Sequence, residues 1–336
     1  MWAFGYSNFA LRGRRALDPR RTDAAQMRSA EPGDDRKAML MEAQKTAGER
    51  AAPPSTFVPI SHATKAAPAS LQPSDTIANI VSAEVLAGFR AWPVWMILGW
   101  DDIRQRYRRS VLGPFWITLS MGVFILLLGV IYSRLFRTDI TTYIPFLSAG
   151  FTVWGFIAQT TNESCTAFNE GGRIIKQIKL PYLVYVLRVV WRNFIVFLHT
   201  VVVFIPVAIF FKVVPTSATL YVLPGLFLVC VNVTWVATTL AIVSARYRDI
   251  PPIVGTGVQI MMFATPIMWP VSLLNGSAII AEINPLYHLL EIVRAPMLGT
   301  APALQSWLIT SGMAVAGSLF AAALLVSKAR RIVFWL

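Results

Sequence analysis

Residues 106–133 read RYRRSVLGPFWITLSMGVFILLLGVIYS, and the order of residue types in that stretch decides the fold. Arg106, Arg108 and Arg109 lead to Gly113-Pro114, after which residues 113–133 carry no charge. A helix needs about 20 apolar residues to cross a bilayer, so this block is long enough to span. A basic cluster directly beside a span is the mark of a cytoplasmic flank. Five further blocks have comparable length, at 143–165, 191–211, 219–243, 252–274 and 306–327. The second ends in polar TTNESC, and the third holds His199 and Pro206.

The composition of the whole chain agrees. Of its 336 residues 55% are hydrophobic and 14% charged, with a mean hydropathy of +0.57. Soluble domains are about 25% charged, so a water-soluble enzyme is excluded and an all-α integral membrane protein of six spans is expected. The net charge of +13 would attract polyphosphates, but the basic residues sit in a tail that also carries acids or beside apolar blocks. That placement argues against a nucleic-acid partner. Cys165 and Cys230 lie inside or at the end of apolar blocks and read as buried thiols.

Counting Lys and Arg in the short connections orients the chain. One side holds fourteen: Arg104, Arg106, Arg108, Arg109, Arg173, Lys176, Lys179, Arg188, Arg192, Arg246, Arg248, Lys328, Arg330 and Arg331. The other holds four: Arg134, Arg137, Lys212 and Arg294. Six spans with both termini cytoplasmic fit this asymmetry, and an odd number would spoil it.

Outside the spans the chain divides further. Residues 1–85 contain eleven Lys/Arg and nine Asp/Glu without a sustained apolar run, so a disordered cytoplasmic tail is expected there, ahead of a membrane domain at 86–336. No signal-peptide pattern opens the chain. Between about 90 and 110, Pro93 suits a first helical turn, and Met96, Trp100, Ile103 and Tyr107 recur at helical spacing. That predicts an amphipathic helix in the membrane interface, too polar to cross. Residues 275–303 are apolar but broken by Pro285 and Pro296, and are expected to form re-entrant or interfacial helices on the outer face.

Catalytic signatures are missing. No GxxxxGK[ST] phosphate loop, GxSxG, HExxH or CxxC pattern occurs, so any ATP hydrolysis must come from another subunit. Asp101 and Asp102 are adjacent and point about 100° apart on a helix, so they read as solvated surface acids rather than a metal-binding pair. Within or beside spans, Glu163, Arg188 and Arg192 lie near predicted ends, where snorkelling suffices. His199 is near mid-span and reads as a neutral, hydrogen-bonded packing residue.

Three strings occur in order: RYRRSVLGPFW at 106–116, NEGGRIIKQIKLP at 169–181 and SARYRDI at 244–250. With six spans and a basic C-terminus, residues 88–336 resemble the transmembrane subunit of bacterial polysaccharide-export ABC transporters of the ABC-2 type, which handle O-antigen, capsule and teichoic-acid chains. The resemblance implies an inner-membrane homodimer paired with P-loop ABC ATPase subunits that carry the ATP and magnesium. This chain would then hold no cofactor or metal of its own.

The same resemblance gives roles to particular residues. The interfacial helix would gate admission of a diphosphate-linked lipid, with Arg106, Arg108 and Arg109 on its phosphates. Orientation and contact with anionic lipid explain the same arginines in a different way. Ile174, Ile175 and Ile178 form one small apolar face after Gly171-Gly172, and the resemblance implies that this loop, with Arg173, is a coupling helix seated in the ATPase. Arg246 and Arg248 would add a smaller contact, or pair with Asp249 inside their own loop. Phe115, Trp116, Phe124, Phe263 and Trp269 are candidates to line a channel, because sugar C–H faces pack on aromatic rings; belt or lipid-facing positions are the alternative. Two other functions compete: ABC-2 export of a drug or small lipid, and a membrane-bound sugar or acyl transferase. The transferase would require clustered acids or histidines at one face, whereas Glu282 and Glu291 are separated in sequence.

Overall fold

The computed structural model describes residues 77–108, 115–178, 180–274 and 279–336, and every regular element among them is helical. In chain order these are α1 (Ile77–Arg90), α2 (Trp92–Tyr107), α3 (Phe115–Leu135), α4 (Ile140–Ser164), α5 (Ala167–Gln177) and α6 (Tyr182–Phe210). After a 3-10 turn at Ser217–Tyr221 come α7 (Val222–Arg246) and α8 (Ile250–Ala264), then a second 3-10 turn at Val271–Leu274, α9 (Ile279–Glu282), α10 (Pro285–Met297) and α11 (Leu304–Trp335).

Five helical stretches are long and apolar enough to cross a membrane: Thr118–Leu135, Ile140–Ser164, Tyr182–Phe210, Ser217–Arg246 and Leu304–Ala329. The fifth block, expected as a sixth spanning helix, is corrected. Its helix α8 has only 15 residues, because Pro266 and Pro270 stop it. The polypeptide nevertheless runs along most of α4. Gly255 lies beside Asn162, and the Met268 carbonyl accepts from the Tyr143 hydroxyl. Those two positions are about 28 Å apart along α4, nearly the thickness of the hydrocarbon core. The last part of this crossing is therefore non-helical, and its backbone needs partners. Arg294 donates through Nη1 to the Pro266 carbonyl, and Asn284 donates through Nδ2 to the Thr265 hydroxyl at 3.0 Å.

The core is centred on α4, most of which is buried. Asp139 caps it by accepting from the Thr141 amide at 3.0 Å and its hydroxyl at 2.7 Å, and these bonds hold the Asp139 carboxyl below its ordinary range. On α7 and α11, Asn232 donates to the Thr310 carbonyl at 3.1 Å and accepts from Trp235 Nε1 at 3.0 Å. The Trp235 ring fills the space a side chain at Gly317 would need.

At the end of the bundle where α3 and α6 finish, Arg137 and Lys212 take left-handed φ of 53° and 54°. Each follows a spanning helix and is flanked by a bond closing its last turn, Thr138 N–H to Ser133 at 3.0 Å and Val213 N–H to Ala208 at 2.8 Å. There α10 packs against the 3-10 turn at Ser217–Tyr221 and against α11, with Thr216 donating to the Gly299 carbonyl at 2.7 Å. Helix α10, most of it buried among its neighbours, is too short to span.

Two boundaries move. Residues 77–85, expected to close a disordered tail, belong to α1, while residues 1–76 lie outside the described residues. Helix α1 packs on α6 and α11, and Glu84 accepts from the Tyr182 amide at 2.8 Å, which caps α6 from a distance. Helix α6 starts at Tyr182, nine residues before the expected span, so Arg188 and Arg192 lie inside a helix rather than in a connection.

Candidate functional site

The structure concentrates its charged contacts where α2, the end of α4 and α6 meet. Arg188 and Arg192 are four apart and so share one face of α6. Gly99 of α2 lets the two helices approach closely, since a Cβ there would lie 3.0 Å from Trp191 Cδ1 and 3.1 Å from the Arg188 carbonyl. Trp95 meets Trp191 edge-on at 5.9 Å beside this contact. One turn later Asp102 faces the two arginines.

Arg188 forks onto Asp102, with Nε at 2.7 Å from Oδ2 and Nη2 on Oδ1. Arg192 is the hub. Its Nη1 donates to Asp102 Oδ2 at 3.0 Å, and its Nε and Nη2 donate to Glu163 Oε2 at 3.1 and 2.7 Å. Asn193 Nδ2 adds a bond to the same oxygen at 2.9 Å. Glu163 Oε1 accepts from Gln159 Nε2 at 3.1 Å and from Arg106 Nη2 at 2.9 Å. Glu170 of α5 lies 3.8 Å from Arg192. Three arginines thus face three carboxylates, the balance that makes charge tolerable at this depth.

Exposure grades the network. The Arg192 side chain is 6% exposed, Glu163 21% and Arg106 38%. The inner pairs lack competing water, whereas the Arg106 pair is half in solvent. Burial also pushes the Tyr107 hydroxyl above its ordinary range, partly offset by Arg106, so it remains a proton donor.

These positions correct two expectations. Asp102 is largely buried and twice ion-paired rather than solvated, because its face of α2 docks on protein. The face drawn through Met96, Trp100, Ile103 and Tyr107 is docked only in part: Trp95, Gly99, Asp102 and Ile103 turn inward and the Tyr107 hydroxyl is buried, while Trp92, Ile97 and Trp100 are exposed. Trp92 and Trp100 point away from the bundle. Of the three gate arginines, Arg106 is engaged with Glu163, Arg108 is exposed at the end of α2, and Arg109 lies outside the described residues.

The isoleucine knob is also corrected. Ile175 is buried, in line with Phe168 and Gly171, which fit against Tyr185 and Tyr182. Ile178, just past the end of α5, is 55% exposed. The side chains of Arg173 and Ile174 lie outside the described residues. Arg246 stacks over Tyr247 and Trp335 at 5.3 and 5.4 Å, and Arg248 is exposed.

The candidate channel aromatics divide. Trp116 and Phe263 are exposed; Phe124 packs edge-on against Phe151 at 5.2 Å. Trp269 donates to the Phe263 carbonyl at 3.1 Å, and the Phe115 side chain lies outside the described residues. His199 sits with Nδ1 2.8 Å from the Ile195 carbonyl, which requires a proton there. Both cysteines are free thiols, Cys165 buried and Cys230 partly so.

The sequence pattern of the family described as ABC-2 type transporter matches residues 93–298, more than half of the chain. The chain belongs to the ABC-2 type transporter family. It is also similar to proteins named O-antigen export system permease protein RfbA. Two from Klebsiella pneumoniae are 25% and 26% identical over 169 residues, 50% of this chain. One from Myxococcus xanthus is 22% identical over 198 residues, 58% of this chain and 76% of its own length. The matched region spans 65% of each Klebsiella relative, just under two thirds of its length. In this ABC-2 permease subunit the family match at 93–298 takes in the charged junction, from Trp95 to Asn193, and the helix-break segment at Thr265–Arg294.

Sequence reasoning missed two functional-looking clusters. The first is the junction itself, for which the i, i+4 pair Arg188 and Arg192 was the available signal, with Glu163 and Asp102 as the acids at similar depth. The second is Arg294, counted as a loop charge but buried. It pairs with Glu291 and lies 4.3 Å over the Phe146 ring while it holds the Pro266 carbonyl. Only the fold shows that Pro266 leaves a carbonyl for it to serve.

Proposed function

We propose that this ABC-2 permease is the membrane subunit of an ATP-driven exporter that carries a lipid-linked polysaccharide across the inner membrane, its basic end in the cytoplasm. The observation that carries the reading is the docked interfacial helix α2. Trp92 and Trp100 face away from the bundle, and its arginine-rich end sits against the junction at Glu163. Such a helix presents guanidinium groups where a diphosphate-linked lipid would meet the bundle, and a guanidinium fork suits phosphate oxygens. The likeness to O-antigen export permeases supports the substrate class.

In this reading ATP is bound and hydrolysed, with magnesium, on separate P-loop subunits. Two copies of this chain form the path, because the helices of one subunit enclose little pore. Ile178, with Arg173 and Ile174, would seat in the ATPase, and Arg248 adds a peripheral contact. Trp116 and Phe263 have the exposure needed to meet a sugar chain, with Phe115, Phe124 and Trp269 beside them in sequence or space.

Replacing Arg106, Arg108 and Arg109 together by Lys keeps the charge that orients the chain and removes the fork. The expected result is correct topology, normal membrane levels and reduced export, with lipid-linked polymer accumulating on the cytoplasmic face. Full export by that variant overturns the phosphate role.

A further inference from the structure

We propose that Glu163 is an internal competitor for Arg106 and occupies, in the resting chain, the place that a phosphate oxygen of the lipid takes during transport. This rests on the reading of Arg106 as a phosphate ligand and deepens it by naming the internal group the phosphate displaces.

The argument is one of unequal partners. Arg106 Nη2 holds Glu163 Oε1 at 2.9 Å, whereas Glu163 also accepts from Gln159, from Asn193 and twice from Arg192. If Arg106 leaves, the carboxylate still has a buried counter-ion and two amides. The Tyr107 hydroxyl, one residue along α2, is buried without a hydrogen-bond partner among the described residues and interacts electrostatically with both Arg106 and Glu163. Nothing comparable keeps α2 in place on the Arg106 side; its anchor is Asp102, which stays clamped by Arg188 and Arg192. The Arg106 pair is also the most exposed of the strong links, and such pairs are readily exchanged. A diphosphate offers the guanidinium two charged oxygens in a forked geometry, against the single contact Glu163 gives it. Arg106 can thus change partners while the rest of the junction remains assembled.

The test uses the full chain in nanodiscs of phosphatidylcholine, with a fluorescent short-chain prenyl diphosphate as probe. Arg106→Gln is expected to weaken binding at least tenfold. Glu163→Gln removes the competitor and is expected to tighten binding about threefold to fivefold, the scale of an exposed pair. In the double variant that gain should vanish, leaving the affinity of Arg106→Gln. Binding by Arg106→Gln equal to the unmodified chain overturns the phosphate reading itself. Weak binding by Arg106→Gln together with unchanged or weaker binding by Glu163→Gln overturns the displacement and leaves the phosphate reading standing. Glu163→Asp, which keeps a charge under Arg192 but draws it back from Arg106, covers a failure of Glu163→Gln to fold, and the same tightening is expected. Competition by inorganic pyrophosphate at the probe's concentration supports recognition of the diphosphate alone. Competition only by unlabelled prenyl diphosphate supports recognition of a lipid headgroup, and competition by neither overturns the site.

Discussion

Replacing Arg192 by Ala removes the hub of the junction, and the structure says how much should be lost. The side chain is 6% exposed and touches Asp102, Glu163 and Glu170. Removing one member of a buried ion pair costs about 3–5 kcal/mol, mainly because the partner charge is stranded. Here the stranding is incomplete. Asp102 keeps Arg188, and Glu163 keeps Arg106, Gln159 and Asn193, which places the loss near the lower figure, about 3 kcal/mol. In a chain of this size each kcal/mol moves the melting temperature by about 1.5 °C, so a drop of about 4–5 °C is expected in detergent. Arg106→Ala serves as the control. Its pair is exposed and worth at most about 1 kcal/mol, so its melt should fall by no more than about 1.5 °C. Thermal unfolding followed by tryptophan fluorescence reads both. A drop for Arg106→Ala as large as that for Arg192→Ala, or less than 2 °C for Arg192→Ala, would refute the graded network.

Gly317→Ala should cost about 1–3 kcal/mol and weaken α7–α11 packing, because the added methyl meets the Trp235 ring; Gly312→Ala, with nothing within 4 Å, should be near neutral in the same melt. Lys212→Gly relieves a left-handed residue and should raise stability by up to about 1 kcal/mol, whereas Lys212→Val should lower it. Burial raises the Glu84 carboxyl above its ordinary 4.5, against the opposing effect of its bond from Tyr182. Its stabilising contribution is therefore complete below pH 4.5 and is lost as pH rises through the higher folded-state value. Glu84→Gln, neutral throughout, should melt higher than the unmodified chain at pH 8 and lose this part of the pH dependence.

The spans were legible because apolar length is a property of consecutive residues, as 113–133 and 306–327 demonstrate. The Pro-broken segment before α11 was legible for the same local reason. Residues 252–274 failed as a single helix because hydropathy does not register that Pro266 and Pro270 stop a helix while Arg294 and Asn284, far along the chain, support the turns that follow. Helix α1 escaped because residues 77–85 were averaged with a polar tail, although Glu84 finds its partner 98 positions away at Tyr182. On α2 the expectation that charges face water left Asp102 off the docked face, which it shares with Ile103. Asp102 and Arg106 reverse that rule because their counter-charges lie on α4 and α6, which no pattern within α2 can reveal. Ile175 turned inward for a related reason: Phe168 and Gly171 precede it at helical spacing and extend the buried stripe, which leaves Ile178 outside.

The most direct measurement on the central claim is to delete this reading frame in its own cell and locate the surface polysaccharide by labelling intact and permeabilised cells. The account predicts that polymer disappears from the surface and accumulates, still attached to its lipid, where only permeabilisation exposes it. Polysaccharide reaching the surface at normal levels without this chain would contradict the account.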